Sequence, residues 1–146
     1  MRVVYLDMCA LKRPFDDQSQ GKIWIETQAV IRILEAFHAG RVKICNSAVL
    51  EFENGQNPDF VRKYRASSIL ASFGSPAPIT RQMFKRAEWI DSLGLGGIDA
   101  LHIACAEALE AKNFVTCDEE ILKKRSKIKD NISIINPVEL VQEMEA

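Results

Sequence analysis

A chain of 146 residues, 47% apolar and 27% charged, is long enough for one buried core and too apolar to stay disordered. Its net charge of −1 excludes a whole-surface basic attraction to nucleic acid and leaves only local basic stripes. No apolar run approaches the roughly 20 residues of a membrane span, and MRVVYLD meets an acid too early for a secretion signal; a cytoplasmic protein with no membrane contact is expected.

VVYL reads as a first buried strand and ends at Asp7. The charged segment LKRPFDDQSQ follows, with Asp16 and Asp17 as turn formers. Ile23, Val30, Ile33, Leu34 and Phe37 recur at helical spacing, and Gly40 is a C-terminal stop. VKIC is the second strand. A helix starts near Ser47 and ends at Asn54-Gly55; Asn57-Pro58 turns the chain into a helical stretch through Tyr64 and Leu70. Ser75-Pro76-Ala77-Pro78 is a break. Met83, Phe84, Ala87, Ile90 and Leu93 form another amphipathic face, and Gly94, Gly96 and Gly97 make a loop that fits no phosphate-binding fingerprint. Residues 98–111 are rich in Ala, Leu and Glu and predict a helix. FVT is a third strand, residues 119–127 a charged helix and ISII a fourth strand, after which Pro137 suits a first helical position. Strand and helix alternate, except for two or three helices between VKIC and FVT. The expected fold is a single domain over residues 1–146, a three-layer α/β/α sandwich around a mainly parallel sheet.

Cys9, Cys45, Cys105 and Cys117 are isolated, with no CxxC pair, and read as buried hydrophobes in a reducing compartment. The acids are more informative. Asp7 closes a strand, Glu51 and Glu53 lie just beyond VKIC, Asp99 opens the helix after the glycines, and Asp118 follows FVT. Each has a structural explanation: Asp7 as a turn former, Glu51 as a solvated helix residue, Asp99 as a first-turn acid, and Thr116 with Glu119 as a capping box. Together they collect at the carboxyl ends of strands, where open α/β sheets bind ligands. Acids gathered there repel one another unless a cation or shared protons neutralise them. That pattern points to a hard-metal site and to metal-assisted chemistry on a phosphate ester.

An Asp ending the first strand, a Glu in the helix after the second, D-A-x-x-I-A-x-A beginning at Asp99, and T-x-D from Thr116 to Asp118 appear in that order. In these motifs the chain resembles the PIN-domain family of metal-dependent ribonucleases, particularly the compact toxin-like members of VapC type. The resemblance covers essentially the whole chain. It implies that Asp7, Glu51, Asp99 and Asp118 hold Mg²⁺ or Mn²⁺ for hydrolysis of RNA phosphodiester bonds. It also implies an antitoxin protein as partner, and the helices between Pro58 and Leu93 could form a groove or a homodimer face. Glu53 rivals Glu51: alternation with Val49, Leu50 and Phe52 does not decide between them, and only the family register favours Glu51. Many relatives carry Thr or Ser where this chain has Met8, so one hydroxyl is missing beside the first acid.

His102 stands three residues after Asp99, as a ligand, a base or a histidine beside the site. Thr116 is expected near the acids. Lys12 and Arg13, which follow Asp7 closely, are the expected RNA contacts. Other basic groups, above all Lys123, Lys124, Arg125, Lys127 and Lys129, read as solvated. A non-catalytic PIN-like module that binds RNA or protein is the competing reading, disfavoured by the full acid set.

Overall fold

The computed structural model describes residues 1–128 and 131–146, so Lys129 of the basic cluster lies outside the described residues. The four apolar runs form strands β1 (Arg2–Leu6), β2 (Val42–Ile44), β3 (Asn113–Val115) and β4 (Ser133–Ile135). All pair in parallel, in the order β2-β1-β3-β4. Leu6 sits opposite Val115, and Val4 opposite Ile44. Tyr5 and Phe114 are fully buried side by side, their rings stacked at 5.5 Å.

The helices are α1 (Met8–Leu11), α2 (Gly21–His38), α3 (Ala48–Gly55), α4 (Phe60–Ser72), α5 (Arg81–Asp91), α6 (Gly97–Ala108), α7 (Glu119–Lys123) and α8 (Pro137–Glu145). Four helices, not two or three, separate β2 from β3, because the Asn57-Pro58 turn and the 75–78 break each end one helix and allow the next. The expected 98–111 helix stops at Ala108, and the charged stretch after β3 is only a five-residue helix followed by a 3₁₀ turn over Arg125–Lys127.

From β1 the chain steps to one side to form β2, then crosses back past β1 to form β3. Right-handed crossovers in opposite directions put α2 on one face and α3–α6 on the other. In agreement, α2 packs on α8, while α6 packs on α5 and α3. The reversal of direction falls between β1 and β3. This is the point where a crevice opens at the carboxyl ends of an open sheet. Among the described residues no helix is long and apolar enough to cross a membrane.

Candidate metal centre

The first acid is built by the turn that leaves β1. Asp7 donates its amide to Val115 of β3 at 2.9 Å, which places it at the β1–β3 crevice. It caps α1 by accepting the Met8 amide on Oδ1 at 2.9 Å. Its Oδ2 accepts the Thr116 hydroxyl at 2.8 Å and the Cys9 thiol at 3.3 Å. Met8 itself is wholly buried. The hydroxyl beside Asp7 is that of Thr116, at the exit of the neighbouring strand. Asp7 is 4% exposed and no Lys or Arg pairs with it among the described residues. Burial pushes its carboxyl above the usual range, against the pull of nearby His102 and the Thr116 hydrogen bond.

Asp99 lies in the first turn of α6, half-buried. Burial, then the charges of Asp7 and Asp118, raise its carboxyl to about 6. That mutual effect is the electrostatic sign that acids from three segments converge. Asp118 is the N-cap of α7, its Oδ1 accepting the amides of Glu120 and Ile121. The capping box expected from Thr116 does not form, because Thr116 turns its hydroxyl to Asp7 and leaves the cap to Asp118.

The two glutamates of α3 part company. Ser47 caps this helix, with its Oγ accepting the Leu50 amide at 3.1 Å. Val49 and Leu50 are buried, and Glu53 lies four and three residues beyond them, on the same inward face. Glu53 reaches His102 Nε2 at 2.6 Å. Glu51 is about 200° around the helix from Glu53 and accepts instead from Asn46 Nδ2 at 3.2 Å. Glu51 thus meets Asn46, while its rival Glu53 stands beside His102 and Asp7. The signal was in the sequence at a period of 3.6, not in the two-residue alternation. Asp7, Glu53 and His102 each offer a ligand-type atom, all within 4.8 Å of one another.

Arg13 is not available at the crevice. Its guanidinium binds Glu26 and Asp16, each at 2.9 Å. Lys12 forms no ion pair among the described residues. Cys9, placed beside the acids, has its thiol pushed well above the usual range by the neighbouring Cys117 and by burial. It serves as a neutral donor to Asp7 and not as a thiolate. Two of the three clustered atoms are carboxylate oxygens, donors that a hard divalent cation takes, and the third is a histidine nitrogen.

A family model described as "PIN domain" matches residues 5–127. No curated protein sequence matches the chain. Among solved structures, the chain is similar to one in VapBC2 from Rickettsia felis, crystallised with a DNA fragment from their promoter. The TM-score is 0.58 at 14% identity, over 92% of this chain and 98% of that one. At that identity the likeness is one of fold.

Proposed function

The chain belongs to the PIN-domain family, and from that premise we propose that it is an Mg²⁺- or Mn²⁺-dependent endoribonuclease. What supports this reading is that Asp7, Glu53 and His102 hold ligand-type atoms within 4.8 Å of one another, with Asp99 raised to about 6 by burial and by the charges of Asp7 and Asp118. Asp7 and Asp99 are the principal ligands in this reading, with Glu53 and Asp118 completing the set and Glu51 outside it. A divalent ion bound there supplies positive charge to a phosphodiester and acidifies a water. The chain's own part is positional. Met8, Thr116 and Cys9 fix both oxygens of Asp7 by hydrogen bonds. His102 holds Glu53. Lys12, at the end of α1, is the basic side chain assigned to the RNA backbone.

The likeness to VapBC2 supports a place in a toxin–antitoxin pair, with an antitoxin as protein partner and the cytoplasm as the place of action. Exposed Phe52, Phe60, Val61 and Tyr64 on α3 and α4 supply apolar surface for such a partner or for a second copy of the chain. The test is cleavage of structured and unstructured RNAs by the pure protein with Mg²⁺ or Mn²⁺. Loss of cutting on chelation and in Asp99→Asn is the expected result. A wild-type protein that binds RNA but leaves every RNA intact with either ion points to the non-catalytic module instead.

A further inference from the structure

Behind Glu53 runs a buried line of hydrogen bonds that the metal reading does not use. Ser47 Oγ lies 2.8 Å from the Tyr5 hydroxyl, which lies 2.7 Å from His102 Nδ1, and His102 Nε2 is 2.6 Å from Glu53 Oε1. Tyr5, Ser47 and His102 are each 0% exposed, so no water competes for these groups. The line ties the N-cap of α3, the middle of β1 and the first half of α6 together.

The hydrogens on this line can be assigned from its ends. Ser47 Oγ accepts the Leu50 amide, and the Cys105 thiol also lies within hydrogen-bond reach of the Ser47 and Tyr5 hydroxyls, so one of these neighbours supplies the hydrogen that the Tyr5 oxygen accepts. The Tyr5 hydrogen then goes to Nδ1, which must accept. A nitrogen 2.6 Å from a carboxylate oxygen needs a hydrogen between them, so Nε2 carries one. The 2.6 Å separation is that of a hydrogen bond, shorter than the roughly 3 Å between two ligands bound to one ion at about 2.1 Å each in octahedral geometry.

We infer that Ser47, Tyr5 and His102 form a positioning chain that locks His102 as its Nε2–H tautomer and aims the Glu53 carboxylate at Asp7. His102 is a donor to a metal-binding group and not itself a ligand. Partners of this kind tune ligand orientation and metal affinity. The effect on metal rests on the nuclease reading, because it takes Glu53 to be a ligand. The order of hydrogens does not, and can be measured without metal.

The experiment uses ring-¹⁵N-histidine protein and three variants, Tyr5→Phe, His102→Gln and His102→Leu. The chain has two histidines, and His38 is exposed, so it serves as an internal reference in the spectrum. In metal-free wild type, His102 is expected to show the pure Nε2–H tautomer. Tyr5→Phe is expected to release it into a mixture and to weaken Mn²⁺ binding by about 10- to 100-fold. His102→Gln, which keeps an N–H near Glu53, is expected to retain more affinity than His102→Leu. The RNA KM should not move in any of them. A wild-type ring with hydrogen on Nδ1, or on both nitrogens, overturns the proposal whether or not Tyr5→Phe folds. Undiminished Mn²⁺ affinity in a folded Tyr5→Phe with mixed tautomers overturns it too. A wild type that has the Nε2–H ring yet neither binds Mn²⁺ nor cuts RNA upholds the hydrogen order, removes its effect on metal, and sinks the nuclease reading.

Discussion

Two acids in this molecule, Glu26 and Asp7, are buried to a similar depth and treated in opposite ways. Glu26, 2% exposed on α2, is met by the Arg13 guanidinium at 2.9 Å and by Asn136 Nδ2 at 2.6 Å, and Arg13 also binds Asp16. Burial works against the charge on Arg13, but Asp16 and Glu26 more than offset it and hold the guanidinium above its ordinary value. Asp7, 4% exposed, has hydroxyl, thiol and amide donors but no Lys or Arg partner among the described residues, and Glu53 bears on it with like charge. A carboxylate sunk into a protein is therefore not informative alone. What marks a site is burial left without compensation, since a structural acid of that depth is nearly always paired.

The sharpest way to break this contrast is to remove acids on either side of it. Asp99→Asn should lower metal-dependent RNA cleavage by on the order of 10²–10³-fold, the scale of losing one preorganised electrostatic group. Glu53→Gln should approach that loss, whereas Glu51→Gln should change kcat by less than about twofold, because Glu51 faces Asn46. Equal losses in the two glutamate variants, measured on one RNA at saturating Mn²⁺, would return Glu51 to the site. Glu26→Leu should do the reverse. It leaves Arg13 and Asn136 without their buried partner and should destabilise the fold by about 3 kcal/mol in urea titrations, with Mn²⁺ affinity unchanged.

Smaller effects come from supplying what the acidic crevice lacks. Mn²⁺ at 100 times its Kd should raise the unfolding free energy by about 2.7 kcal/mol, and Asp7→Asn should abolish that gain. No shift in Tm on adding Mn²⁺ to wild type would put the two acids on an equal footing. Protons should act as a weaker substitute. The Asp99 carboxyl is at about 6 in the folded chain, against 3.8 ordinarily, and Asp7 is raised in the same direction. The folded state therefore binds protons more readily than the unfolded state. This contribution to stability is complete below about pH 4 and is lost as pH rises through about 6. The lowered acids Asp17, Glu119 and Glu139 act below their ordinary values of 3.8 to 4.5, outside that window. Metal-free protein should accordingly melt slightly higher at pH 5.5 than at pH 7.5, and Asp99→Asn should flatten that slope.

Much of this was legible in the chain. Short β-branched runs became four parallel strands, and Ser47 and Pro137 opened their helices. Local pattern suffices for these because strands bury both faces and caps act within a few residues. What escaped depended on distant partners. Arg13 looked free because Glu26 lies a full turn and loop away, and the Thr116 hydroxyl looked like a cap because nothing nearby reveals Asp7 across the sheet. Glu53 lost to Glu51 through the choice of period. The apolar pair Val49-Leu50, read on a helix, faces Glu53 inward.

The hydroxyl that steadies Asp7 lies 109 positions downstream, at the exit of β3. A chain emerging from the ribosome thus carries its first acid long before the strand that organises it, and β1 must wait for a distant neighbour before the crevice exists.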